Sequence, residues 1–174
     1  MVPWDMSFRY YDEKQAREVD LKTVTSSAEY KELWTAFLKN FAAHLQQKGW
    51  FDKTCIAMDE RGLQDMLNAY NIVQQAVPGM KMALAGNYHK ELVDKIYDYC
   101  IAYGQSFTDD DLKLRNSKRY VSTCYTSCAD ADPNIFTNSD PFDAAFLPLY
   151  SLSKGMNGYL HWSWMNWDDH PLTD

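Results

Sequence analysis

Two short runs, Thr54 to Asp59 and Met82 to Ala85, restrict the fold of this chain more than any other feature. In each, a bulky apolar residue alternates with a small one: Ile56 and Met58 against Cys55 and Ala57, then Met82 and Leu84 against Ala83 and Ala85. Alternation at period two predicts strands with a bulky face and a small face. In a closed barrel the bulky pairs would face surrounding helices and the small pairs a crowded interior. Asp59 would then end the interior row, and Glu60 would open the following loop.

The elements around these runs alternate. A short aromatic extended stretch, Phe8 to Tyr11, is followed by a polar connection and then a helix from about Ser27 to Lys48. Tyr30, Leu33, Trp34, Phe37, Leu38, Phe41, Ala42 and Leu45 form its apolar stripe at helical period. Ser26 with Glu29 reads as its capping box and Gly49 as its stop. A helix over Leu63 to Ala76 ends at Pro78 and Gly79. Beyond Gly86, short helical segments are predicted near Lys90 to Asp94 and Asp109 to Leu114. Strands are predicted around Tyr97 to Ile101 and Tyr120 to Tyr125. A long loop, a helix near Phe142 to Ser153 and a strand from Gly158 to Trp164 complete the series. Strands separated by helices give an α/β class with five or six strands. A complete (β/α)₈ barrel needs eight strands and about 250 residues, so a barrel requires this chain to be a portion of one, whereas an open doubly wound sheet does not.

Composition removes several classes of function. A net charge of −7 opposes binding to a phosphate backbone. No apolar run is long enough to span a membrane, and Met1 to Tyr10 lacks the pattern of a signal peptide. Cys55, Cys100, Cys124 and Cys128 show no CxxC spacing and read as isolated thiols. His89 and His161 lack metal-site spacing. Asp109 to Asp111 lack the glycine and glutamate of a calcium loop and read as a helix cap.

Asp59 and Glu60 are the leading chemical candidates. In a close pair of carboxyls, mutual repulsion favours protonation of one, which can donate its proton to a departing oxygen while its ionised neighbour stabilises positive charge. The competing reading is that both cap the helix starting near Gly62, since acidic residues favour a helix N-terminus.

Longer blocks bear on that choice. The run KGWFDKTCIAMDER, residues 48–61, resembles the segment around the catalytic pair of glycoside hydrolase family 123. VPWDMSFRYYD (2–12) is similar to the family's preceding segment, and GYLHWSWMNW (158–167) with Pro171 and Leu172 resembles its closing strand and loop. The blocks occur in family order. The resemblance implies that residues 1–174 are part of a catalytic (β/α)₈ TIM-type barrel, a C-terminal portion of about five or six βα units. It implies hydrolysis of β-linked N-acetylgalactosamine in a glycan or glycoconjugate, with export to the periplasm or exterior and no cofactor or metal. Catalysis would be substrate-assisted, the 2-acetamido oxygen acting as nucleophile. Glu60 would be the acid and then the base, and Asp59 would orient the acetamide. His161 stands where the resemblance leads us to expect an arginine. The alternatives are a catalytically silent carbohydrate-binding relative or an inactive fragment.

Among other candidates, Trp162, Trp164 and Trp167 either form a platform for a sugar ring or pack beneath helices. Tyr125, ending its strand, either reaches the acetamide carbonyl or is a core or rim tyrosine; Asn166 has the same two readings. Trp4 reads as a packed loop anchor or a lining of the cleft.

Overall fold

The computed structural model describes residues 7–58 and 60–161. An antiparallel hairpin precedes an α/β unit whose five strands are all parallel and pair in chain order.

The hairpin joins β1 (Ser7–Asp12) to β2 (Arg17–Lys22), with Asp12 opposite Arg17. By sequence, residues 17–22 read as part of the polar connection, because REVDLK carries only two large apolar residues. Polar groups hold this strand. Asp12 Oδ1 accepts the amides of Lys14 and Gln15 at 2.9 and 3.1 Å, closing the turn. Across the ladder, Arg9 donates two hydrogen bonds to the Asp20 carboxylate at 2.9 and 3.3 Å.

Helix α1 (Ala28–Lys48) begins one residue later than its sequence suggests: Ser27, not Ser26, is the N-cap, accepting the amide of Tyr30. Gly49 ends it in the left-handed conformation at φ 68°, where a side chain would be strained. The buried stripe is narrower than the apolar pattern, comprising Tyr30, Trp34, Leu38, Ala42 and Leu45. Phe37 and Phe41 lie at its margin, stacked on each other at 5.6 Å.

The sheet runs β3 (Cys55–Met58), β4 (Lys81–Gly86), β5 (Asp98–Ala102), β6 (Val121–Thr126) and β7 (Gly158–His161). Helices α2 (Leu63–Ala76), α3 (Asp109–Ser117) and α4 (Pro141–Ser153) join β3 to β4, β5 to β6 and β6 to β7; between β4 and β5 the only helical piece is a single turn at Lys90–Leu92. Its register sorts side chains as the bulky/small alternation requires. Ile56, Met58, Met82, Leu84, Tyr99 and Ile101 are buried in one core with Leu38 of α1 and Met66 and Ile72 of α2. The other face carries small or polar residues in matched rows: Ala57, Ala83, Asp98 and Val121, then Ala85, Cys100, Thr123 and Gly158. Above them lie Ala102, Tyr125 and Leu160. All four cysteines are free thiols.

Helix α3 begins with a capping box: Thr108 accepts the Asp111 amide, and Asp111 returns a carboxylate bond to the Thr108 amide. The helix is fastened to the sheet by Arg115, which is fully buried. Its guanidinium donates to the carbonyls of Val93 and Ile96 at 2.8 and 2.9 Å, to those of Tyr97 and Val121, and to Ser122 Oγ at 2.7 Å. The rings of Tyr99, Phe107 and Tyr120 surround it at 5.2 to 5.6 Å. Burial lowers its pKa to about 10, so the group remains a cation at neutral pH.

Arg115→Met should therefore cost about 3–5 kcal/mol, because it strands several buried acceptors at once. Urea unfolding followed by circular dichroism measures this; a loss below about 1 kcal/mol would refute the assigned role.

Candidate active site

The carboxyl ends of parallel strands gather loops and unpaired backbone groups, which is where such sheets bind ligands. A cleft of about 470 Å³ opens there, lined by Met58, Ala85, Cys100 and Leu160 together with Glu60, Tyr125, Ser127 and His161.

At its centre the Tyr125 hydroxyl donates a hydrogen bond to Glu60 Oε1. These residues lie 65 positions apart in sequence. Burial first, and then the Glu60 carboxylate, push the Tyr125 phenol well above its ordinary range, so it stays a neutral donor. Tyr125, one residue from the end of β6, lines the cleft. The N-cap position of α2 is held by Gly62, and the Glu60 carboxylate accepts its bond from across the sheet. Asp59, Trp162, Trp164, Asn166 and Trp167 lie outside the described residues, as does Trp4.

Three further features bear on the site. Gly86, last in β4, lies under Glu60. A Cβ at this position would sit 3.2 Å from Glu60 Cγ and 3.8 Å from its Cα. In the sequence this glycine reads only as a strand terminator, since proximity to Glu60 follows from the β3–β4 pairing. Beside it, the loop after β4 is laced to the loop after β5. Tyr99 Oη donates to the Asn87 carbonyl at 2.6 Å and accepts the His89 amide at 2.7 Å. Gln105 donates to Asn87 Oδ1 at 2.7 Å. Tyr88 and Lys90 both donate to Asp111, whose carboxyl is buried; burial raises its pKa, but the bonds from Lys90, Tyr88 and Thr108 outweigh that and hold it at about 2.

On the opposite wall, fully buried Asn134 organises the loop between β6 and α4. Its Nδ2 donates to the carbonyls of Ser127 and Asp130 at 2.8 and 2.6 Å, and its Oδ1 accepts from Thr126 Oγ1 at 3.0 Å. Because the Thr126 proton is committed to Asn134, Tyr159 is the donor in the Tyr159–Thr126 bond. Tyr159 Oη also lies 3.4 Å from His161 Nδ1. Residues of β6, β7 and the loop between them thus share one polar chain that ends in the cleft. Among the described residues no group of three or more His, Cys, Asp or Glu is placed to hold a metal.

A carboxyl and a phenol meet beyond the strand ends of a parallel sheet, where proteins of the α/β class bind ligands. Over residues 1–174 the chain matches the catalytic domain of glycoside hydrolase 123, and it belongs to that family. It is also similar in structure to a family 123 glycoside hydrolase from Clostridium perfringens, described in connection with glycolipid glycan hydrolysis, with 32% identity and a TM-score of 0.84. That similarity covers 97% of this chain and 31% of the other, so the chain spans about a third of the length of its relative. No curated protein matches it.

Substituting Gly86→Ala should push Glu60 aside and weaken its bond to Tyr125. With that carboxylate withdrawn, Tyr125 should titrate at lower pH, nearer the ordinary tyrosine value. Carbon-13 NMR of labelled tyrosine ring carbons against pH measures the change; an unmoved Tyr125 titration would show that Gly86 does not position Glu60.

Proposed function

We propose that the protein containing this chain is a retaining β-N-acetylgalactosaminidase that uses the acetamide of its substrate as nucleophile. The observation that carries this reading is the meeting of Glu60 and Tyr125 in the cleft beyond the strand ends. Family membership and the relative's association with glycolipid glycans support a glycan substrate.

In this mechanism the acetamide carbonyl oxygen attacks the anomeric carbon while Glu60 gives its proton to the departing glycosidic oxygen. The bond from the anomeric carbon to that oxygen breaks, and an oxazolinium ring forms. Glu60, now a carboxylate, removes a proton from water. The water oxygen opens the ring at the anomeric carbon, restoring the acetamide and giving net retention. No enzymic nucleophile is required. Asp59 orients the acetamide and stabilises the charge developing on its nitrogen. Tyr125, a neutral donor, hydrogen-bonds the acetamide carbonyl; to do so its hydroxyl exchanges Glu60 for the substrate oxygen. Trp162, Trp164 and Trp167 offer ring faces to the sugar and Asn166 a polar contact.

We assign the five parallel strands to part of a (β/α)₈ barrel. Their unbroken chain order and the small residues Ala57, Ala83 and Ala85 on one face suit the inside of such a barrel. Asp98 lies on that same face. Its Oδ1 is buried with no partner among the described residues, and burial raises its pKa, so a donor from further strands would satisfy it. Export to the periplasm or exterior is part of the same proposal.

In the full-length protein, Glu60→Gln should lower turnover of natural β-N-acetylgalactosaminides by about 10²–10⁴-fold. Aryl glycosides with good leaving groups should suffer less in the bond-breaking step, because their departing oxygen needs little protonation. Equal losses on both in single-turnover kinetics would sink the acid assignment. No turnover by the unsubstituted protein, with sugar binding intact, would leave a carbohydrate-binding relative.

A further inference from the structure

The opposite end of the sheet carries a second cleft. About 480 Å³ in volume, it lies at the N-terminal ends of β4, β5 and β6, where Lys81 opens β4 and Tyr97 and Tyr120 precede the other two strands. Its lining includes the cations Lys81, Lys95, Lys118 and Arg119 and no aspartate or glutamate. In a chain of net charge −7, that is a marked segregation of charge. One carboxylate stands nearby: Asp94 takes Lys95 at 2.9 Å. Lys81 and Lys118 hydrogen-bond to backbone carbonyls, and the Asp94 carboxylate also acts on Lys118. Lys81 donates to the Asp52 carbonyl at 2.7 Å and lies 4.7 Å from the centre of the Tyr97 ring. Lys118 donates to the Asp94 carbonyl at 2.9 Å and lies 5.4 Å from the Tyr120 ring. Both ammonium groups retain further N–H donors.

Arg119 adds an independent sign. It follows α3 at φ 57°, a left-handed position that helix ends usually give to glycine or asparagine. A long cationic residue is strained there, and its side chain lines the cleft. The amides of Arg119 and Tyr120 close the helix end on the carbonyls of Asn116 and Arg115 at 3.0 and 2.9 Å, a turn that glycine would make without strain, so the guanidinium stands at this cleft at a conformational cost.

We infer that this basal cleft binds the tetrahedral oxyanion of a small phosphate or sulfate monoester, with the tyrosine rings against the body of the ligand. Arg119 supplies the bidentate fork, and Lys81 and Lys118 supply point charges. The ligand is small because the cations converge on one cleft of this size rather than lining an extended track. The cleft lies at the opposite strand ends from Glu60 and Tyr125, so its ligand is not the group undergoing reaction there.

The test uses isothermal titration and thermal unfolding of the full-length protein. Glucose 6-phosphate and glucose 6-sulfate are the probes, with glucose and potassium chloride at matched ionic strength as controls. At least one ester should bind saturably and raise Tm where the controls do not. Preference for the phosphate would identify a phosphorylated small molecule as the natural source, and preference for the sulfate a sulfated saccharide. Arg119→Gly separates function from structure, because it relieves the left-handed strain. The variant should be more stable without ligand, yet bind the ester about tenfold or more weakly, the equivalent of one charge-assisted hydrogen bond. Lys118→Gln should weaken binding in the same direction. If neither ester exceeds the salt control, or if Arg119→Gly binds as well as the unsubstituted protein, the inference is overturned.

Discussion

A buried guanidinium holds the α/β unit in register. The side chain of Arg115 leaves α3 and satisfies carbonyls from the β4–β5 connection, from the residue just before β5 and from the start of β6. The Val93 and Ile96 carbonyls lie in the connection before β5, while those of Tyr97 and Val121 lie at the margin of the ladder. No carboxylate forms an ion pair with it among the described residues; carbonyl dipoles and three aromatic rings compensate the charge. A lysine could not replace it, since its three donors radiate from a single nitrogen and cannot span the same fork. The relative heights of β5 and β6 follow from this anchorage, and with them the level at which Tyr125 meets Glu60.

What the sequence disclosed follows from which interactions are local. Alternation in Cys55–Met58 and Lys81–Gly86 reported the two faces of the sheet because burial acts on each strand separately. The long stripe of α1 was legible for the same reason. The exposed strand β2 was not, because a hairpin held by an aspartate turn and an Arg9–Asp20 pair has no apolar alternation to display. Capping showed the limit of residue-type arguments. Ser26 and Ser27 are chemically equivalent, and only the chain path selects Ser27. At the site, Glu60 and Tyr125 could each be singled out by their place at a strand end. Their contact, the clearance given by Gly86 and the Asn134 hub depend on pairings between distant segments, which one sequence does not encode in any periodic form.

The two ends of the strands have opposite electrostatic character. Beyond their carboxyl ends lies the Glu60 carboxylate; beneath their amino ends lie four cations without an acidic lining partner. A parallel sheet makes this separation natural, because every strand contributes the same end to the same side. The residues that shape the core, such as Met82, Leu84 and Ile101, occupy the middle, so either end can change its loop chemistry without repacking the interior.

The strand order has a consequence for how the molecule is made. From β3 to β7, strands consecutive in the chain are neighbours in the sheet. During synthesis, a newly emerged strand therefore meets a finished edge rather than waiting for a distant segment, and for β4, β6 and β7 a helix precedes the strand. Neighbouring strands pair across 15 to 35 residues, and because loop-closure entropy grows slowly with loop length, each addition costs much the same. Growth by accretion, one βα unit upon the last, is built into the topology.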